Sequence, residues 1–218
     1  AKITDYTYDD LNRLITASTT NATSGSNYFH QYNYNSIGNI TSSTIAGAYQ
    51  YALTASSSYA NPHAAVSINS LTHTYDNNGN LTSDSVWTHT WNYRNRLTKS
   101  SSTISSVSYS YDHNDMRVKM VKGASSTIIT SPYFSVETTS GTATTSVKYV
   151  MANGMLVATV RGSGASSSRY FIHSDHLGST DKTTNASGAI AELTDYFPYG
   201  SLRRRSGDGE RAVARAAP

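Results

Sequence analysis

The chain has 218 residues, with 17 Lys and Arg against 14 Asp and Glu and no cysteine, so a disulfide framework and thiol chemistry are both excluded. Charged residues make up 14% of it, where about 25% is usual. Its 17 Tyr stand beside only 4 Phe and 2 Trp, a composition that suits an extracellular β protein whose surface is made polar by Ser, Thr and Asn. The length suits one all-β domain with a core, or a slice of a larger repeat array.

From the N-terminus, the first recognisable unit closes a strand with the aromatic pair Tyr6 and Tyr8, turns at Asp9, and reopens at Leu14. The same eight-residue plan is clearest at Tyr75-Asp76-Asn77-Asn78-Gly79-Asn80-Leu81-Thr82. Copies begin at Tyr8, Tyr34, Tyr75, Trp91 and Tyr111, spaced by 26, 41, 16 and 20 residues, which is a repeat period near 20 with one copy blurred. Slot two reads Asp9, Asn35, Asp76, Asn92 and Asp112, short acceptors that fix a turn by binding backbone amides just ahead. Slot five reads Asn12, Gly38, Gly79, Asn95 and Asp115, the residue types that enter the left-handed region most readily, so this slot is a backbone requirement. Slot seven is Leu14, Ile40, Leu81 and Leu97, but Arg117 in the fifth copy, with Val118 one place later; a one-residue bulge is expected in that copy. Two residues before each opening ring stands another ring, Tyr6, Tyr32, His73, His89 and Tyr109. Residues i and i+2 of a strand share a face, so Tyr6 with Tyr8, Tyr32 with Tyr34, and Tyr109 with Tyr111 each present a pair of rings to one side of a sheet.

Between the copies, residues 18–27 read as a long polar hairpin loop. Pro62, in Asn61-Pro62-His63-Ala64, is incompatible with a central strand position and lies in the segment that fills the widest gap. From Met116 the strands lengthen. Asn153-Gly154 between two apolar runs predicts a two-residue type I′ hairpin. Pairing 152 with 155 would set Met151 opposite Leu156, Tyr149 opposite Ala158 and Val147 opposite Val160, a wholly apolar and therefore buried face. A Gly/Ser loop over 162–168 and a strand over 169–173 follow.

The last third carries Asp175-His176-Leu177-Gly178-Ser179-Thr180 and then Tyr196-Phe197-Pro198-Tyr199-Gly200. With the five aromatic-Asx repeats in register, these segments resemble the bacterial Rhs or YD-repeat family at its repeat-associated core, over about residues 1–202. The resemblance implies YD repeats over 1–121, a core segment over 122–202 in which Asp175, His176, Leu177, Gly178, Tyr196, Pro198 and Gly200 are the motif residues, and a curved, shell-like sheet of antiparallel hairpins. Proteins of that family are toxin components whose repeats spiral into a hollow shell around a C-terminal effector, and animal teneurins use a similar shell in cell-surface contact. The implied partners are therefore the rest of the shell and an encapsulated effector, in a bacterial protein that is secreted or displayed at the cell surface. The resemblance stops near Arg203. Residues 203–218 form an Arg-rich tail, expected to be disordered, that matches neither the repeat nor a self-cleavage motif, and no effector is present. The first repeat begins so close to Ala1 that a fragment of a longer protein is expected.

The formal charge of +3 is that of the tail, whose five arginines face Asp208 and Glu210, while the body is neutral. No basic stripe with interleaved aromatics is visible, so no nucleic-acid partner is expected. No stretch approaches about 18 apolar residues, so no membrane span is expected either, and residues 1–20 lack a signal peptide's pattern. His173-Ser174-Asp175-His176 could offer metal ligands or a base with its orienting acid. The simpler reading is that Asp175 and His176 cap and hydrogen-bond a turn closed by Gly178. Ser179 beside His176 suggests a hydrolase, but the Gly-x-Ser-x-Gly elbow is missing. Catalytic residues, metal and cofactor are accordingly expected to be absent. Exposed tyrosine pairs bordered by amides leave an adhesin or glycan-contacting surface, with a cell-surface glycan or protein as partner, as the alternative to a scaffold.

Overall fold

The computed structural model describes residues 3–20, 27–51, 61–139, 143–162 and 166–207. It is all-β, and the chain divides into two compact units, Ala1–Ser106 and Val107–Pro218. In the first unit, seven strands pair antiparallel in chain order: β1 (Ile3–Tyr8), β2 (Leu14–Thr20), β3 (Tyr28–Tyr34), β4 (Ile40–Ser43), β5 (Gly47–Tyr51), β6 (Ala65–Ile68) and β7 (Leu71–Thr72). They are followed by β8 (Thr74–Tyr75), β9 (Leu81–Ser83), β10 (Thr88–Trp91) and β11 (Leu97–Ser101), again antiparallel and sequential.

The second unit is a meander of β12 (Ser106–Tyr111), β13 (Arg117–Lys122), β14 (Ser125–Ser131), β15 (Phe134–Thr139), β16 (Ala143–Ala152) and β17 (Met155–Arg161), then β18 (Ser168–Ser174), β19 (Thr180–Asn185), β20 (Ile190–Tyr196) and β21 (Leu202–Gly207). Each strand pairs with the next, and neither meander closes into a barrel. Among the described residues no helix is long and apolar enough to cross a membrane.

Burial in both units rests on hydroxyls as much as on hydrocarbon. Among the described residues the buried apolar side chains are Ala17, Tyr32, Val147 and Ala158, whereas Thr19, Ser135, Thr159 and Thr183 are all at or below 1% exposure. A sheet face rich in Ser and Thr packs closely through short side chains but removes little apolar area from water, so stability in such an array depends on each hairpin being tied to its neighbours.

Two sequence expectations are corrected in the second unit. The Asn153-Gly154 turn pairs Ala152 with Met155 and Met151 with Leu156, but the register then shifts, leaving Val150 opposite Ala158, Tyr149 opposite Thr159 and Val147 opposite Arg161. The inserted residue, Val157, is a bulge that flips the remainder of β17. The face of Val147 is thus shared with Thr159 and with Arg161, whose guanidinium is neutralised by Glu137. The packed structure also does not end at Leu202: Leu202–Gly207 forms β21, pairing Tyr196 with Leu202, Asp195 with Arg204, Thr194 with Arg205 and Glu192 with Gly207. Arg203 and Arg205 join because Asp195 and Glu192 on β20 offer them carboxylates. The rest of the expected tail, residues 208–218, lies outside the described residues, as does most of the loop expected over 18–27.

Candidate functional site

Each repeat folds into one and the same turn, and Asp76 shows how. Its amide donates to the Asn80 carbonyl at 2.9 Å, and the Gly79 amide donates to the Asp76 carbonyl at 3.0 Å. Its Oδ1 accepts from the amides of Asn78 and Asn80, both at 2.9 Å. This is a three-residue hairpin loop, a type I turn followed by one left-handed residue. Slot two must therefore be a short acceptor, because a single oxygen serves two amides that the tight loop leaves without strand partners.

Asp9, Asn35, Asn92 and Asp112 bind the amides of slots four and six in the same way. Slot five has positive φ in every copy: Asn12 59°, Gly38 89°, Gly79 85°, Asn95 57° and Asp115 62°. The one-residue irregularity expected only in the fifth copy is present in all five. Slot one pairs with slot seven (Tyr8 with Leu14, Tyr34 with Ile40, Tyr75 with Leu81, Trp91 with Leu97, Tyr111 with Arg117), and the register shifts immediately before each pair. Arg117 therefore occupies the regular slot, and Val118 is the inserted residue, as Ile15, Thr41, Thr82 and Thr98 are in theirs.

Three further turns have this form among the described residues. Asp175 Oδ1 accepts from the amides of Leu177 and Ser179, both at 2.9 Å, and Gly178 has φ 86°. Asn185 Oδ1 accepts from Ser187 and Ala189, both at 3.0 Å, with Gly188 at φ 82°. At Tyr196–Leu202 the backbone pattern recurs without an Asx residue: Phe197 donates to Ser201 and Gly200 to Phe197, both at 2.8 Å, with Gly200 at φ 82°. In this last copy Pro198 supplies the preset φ at the first central turn position, in place of the side-chain acceptor. The Asp175-His176-Leu177-Gly178 and Tyr196–Gly200 segments are thus turns of the same kind as the YD repeats. Sequence reasoning set them apart because slot one of the former is Ser174, not a ring; an Asx three places before a Gly was the signal to follow.

The opening rings do more than face a sheet. Tyr34 Oη donates to the Leu14 carbonyl, Tyr51 Oη to Ile40, Tyr75 Oη to Ala65 and Trp91 Nε1 to Leu81, each at 2.8 Å. In every case the acceptor is slot seven of the preceding hairpin, beside the bulge that interrupts its ladder. Tyr51 and Ala65 are themselves a pair at a register shift, so they are slots one and seven of the blurred copy, which the Asn61-Pro62-His63 segment completes. Each of these four hairpins is thereby bonded to the one before it by a side chain that must carry a donor. Phenylalanine cannot serve at these four positions, three of which are Tyr and one Trp. Burial, with the nearby phenols of Tyr49 and Tyr75, raises the Tyr51 pKa above its ordinary value, so the hydroxyl stays protonated as the bond requires.

Three turn carboxylates are favoured in their ionised form. The Arg13 amide, with its guanidinium at 2.6 Å from Oδ2, lowers the Asp9 pKa. The Asn80 side-chain amide and the turn amides lower that of Asp76, and the Trp87 amide that of Asp84. His30, 8% exposed, is pushed down by burial.

Around His173 the geometry is ordinary for a turn. His173 Nε2 lies 3.1 Å from Thr184 Oγ1, and both amides bound by Asp175 Oδ1 belong to the loop. His176 is exposed and forms no hydrogen bond among the described residues, so the expectation that it helps bond the turn is corrected: Asp175 Oδ1 alone accepts the amides of Leu177 and Ser179. No group of three or more His, Asp or Glu capable of holding a metal occurs among the described residues. An open depression of about 540 Å³ lies beside Arg169, Tyr170, Asn185 and Ser187, lined by hydroxyls and amides.

No family model matches the chain, and no curated protein matches it. Among solved structures it is similar to the crystal structure of TcdB2-TccC3-Cdc42, at 16% identity and a TM-score of 0.45. It is also similar to the crystal structures of TcdB2-TccC3, at 16% and 0.46, and of TcdB2-TccC3-TEV, at 17% and 0.46. In each comparison 94% of this chain is covered and 15% of the other, so it spans a small part of the length of the chains it matches.

Proposed function

We propose that the chain is a structural, non-catalytic piece of an Rhs or YD-repeat shell belonging to a secreted or surface-exposed toxin-type protein. The observation that carries this reading is the chain of ring-to-carbonyl bonds. The repeats spend these side chains on their own turns and on the hairpin before: slot two on two amides, slot five on a left-handed backbone and, at Tyr34, Tyr51, Tyr75 and Trp91, slot one on the preceding slot-seven carbonyl. An enzyme needs titratable groups converging on a cleft. A wall needs paired backbone and repeated fastenings, with stability summed over neighbours, and the residues are deployed in that way. The Tyr rings that suggested a glycan platform favour the wall as well, since Tyr34, Tyr51 and Tyr75 use their hydroxyls on backbone carbonyls.

The test is limited proteolysis of the longest natural protein that contains this chain. The shell reading expects any segment enclosed by the repeats to resist trypsin while the repeats are folded, and to become cleavable at the denaturant concentration that unfolds them. Digestion of every other segment at full rate under native conditions would contradict it.

A further inference from the structure

The two faces of the second unit's sheet differ in charge in a way that chain order hides. On one face lie Val147 and Thr159 at 1% exposure, Ser135 and Thr183 at 0% and Glu192 at 2%. Its strand carboxylates are matched locally, Glu137 by Arg161 and Glu192 by Arg205.

The pairing register assigns the opposite side chains to the other face. Lys119 lies across from Ile128, and Ile128 from Val136. Phe134 lies across from Lys148, Lys148 from Val160, and Val160 from Arg169. Val150, Ala158 and Phe171 form the next row. His173 faces Lys182, Lys182 faces Leu193, and Asp195 faces Arg204. This face therefore gathers Lys119, Lys148, Arg169, Lys182 and Arg204 from five strands. Asp195 is the carboxylate its paired strand positions supply, and Arg203 already holds it. Lys119, Lys148, Arg169 and Lys182 have no carboxylate partner among the described residues. Between them Ile128, Val150 and Phe171 are 44, 43 and 44% exposed.

We propose that this face docks an acidic polypeptide, one whose carboxylates alternate with apolar side chains. Charge complementarity supplies the first half: several cations left without counter-charges on one face attract and orient a partner that brings the carboxylates. The rows supply the second half. Lys148 and Arg169 sit two strands apart, about 9 to 10 Å, with Val160 between them, so a partner must place apolar atoms between its charges to cover the row. Single-stranded nucleic acid would call for a longer series of rings to stack on than Phe134, Phe171 and His173, the rings placed on this face by the register. The inference is independent of the shell reading, since it concerns what covers one face and not what the array encloses.

The experiment measures binding of the full chain at low salt to four probes: a synthetic peptide alternating glutamate and valine, its lysine–valine counterpart, oligodeoxythymidylate, and phosphatidylserine vesicles. The glutamate–valine peptide is expected to bind, to weaken about tenfold or more in the Lys148→Gln/Arg169→Gln variant, and to weaken with added salt. The same peptide is expected to bind the Lys122→Gln variant, altered on the opposite face, as it binds the parent. Circular dichroism melts confirm that each variant is folded, and Lys119→Gln/Lys182→Gln replaces the first pair if it is not. Absence of peptide binding, equal binding by the open-face variant and the parent, or tighter binding of the oligonucleotide or the vesicles than of the peptide would overturn the proposal.

Discussion

Replacing Tyr75 by Phe isolates one fastening. The ring and its packing stay, and only the hydroxyl that donates to the Ala65 carbonyl at 2.8 Å is lost. A neutral hydrogen bond of this kind contributes about 1 kcal/mol net, and leaving a fully buried carbonyl without a donor costs about 1 to 3 kcal/mol. The bond is part-buried, so water can partly replace the hydroxyl and the loss should fall near 1 kcal/mol. That corresponds to a fall in Tm of about 2 to 8 °C, depending on whether the whole chain or its first unit melts as one. Urea denaturation followed by far-ultraviolet circular dichroism gives the free energy, provided the denaturant slope is unchanged. Tyr93→Phe is the control, because that ring is 87% exposed and makes no such bridge; its expected change is nil. Equal stability of Tyr75→Phe and the parent, or an equal loss in Tyr93→Phe, would refute the argument that the rings are there for their donors.

The left-handed slot is tested by Gly79→Val, expected to cost about 1 to 3 kcal/mol, against Gly79→Asn, expected to cost little because Asn12 and Asn95 occupy that slot with φ 59° and 57°; equal melting temperatures would count against it. Thr183 Oγ1 is buried with no hydrogen-bond partner, so the near-isosteric Thr183→Val is expected to be neutral or to stabilise by about 1 kcal/mol, and a clear destabilisation in urea melts would contradict this. Because the Asp76 pKa is lowered from 3.8, its contribution to stability is complete above that value and is lost as pH falls through the lower folded value. Asp76→Asn, which keeps the turn acceptor but cannot titrate, should flatten the dependence of stability on pH below 3.8, and an unchanged slope would argue against the turn carboxylate as a source of acid sensitivity. His30 acts in the same direction higher on the scale: burial lowers its pKa from 6.5, so the unfolded chain takes up the proton first and stability begins to fall as pH drops below 6.5. His30→Gln should remove that upper step.

Turn chemistry is a local property, and it was legible in the sequence. Asp76, Gly79 and Leu81 specify acceptor, left-handed residue and strand start within eight positions, and the five copies stand at strand ends. What chain order hides is pairing across strands. Tyr75 looks like a face-lining ring until Ala65 is brought beneath its hydroxyl. The copy that reads as blurred in the sequence could not be assigned to Tyr51, because its slot seven is Ala65, well beyond the usual spacing. The Val157 bulge arises from packing, since nothing at Ala152 to Val160 marks one residue as extra, and it replaces an all-apolar face with one that holds Thr159. The cationic face was invisible for the same reason. Lys119, Lys148, Arg169 and Lys182 are far apart in sequence, and a search for a basic run finds only the tail, two of whose arginines pair with Asp195 and Glu192 in β21.

The central claim, that one turn repeated along the chain is its working part, is tested most directly by amide hydrogen exchange resolved at individual residues by NMR. Slot-six amides of the seven Asx turns, those of Arg13, Asn39, Asn80, Arg96, Met116, Ser179 and Ala189, are bound by the slot-two side chain. They should exchange slowly, while the slot-three amides at the loop tips exchange at rates near those of an unstructured peptide. Ser201, which occupies slot six of the turn that has Phe197 in place of an Asx residue, should exchange faster than the other seven. Protection that does not distinguish slot six from slot three, or a Ser201 amide as slow as the rest, would contradict the account.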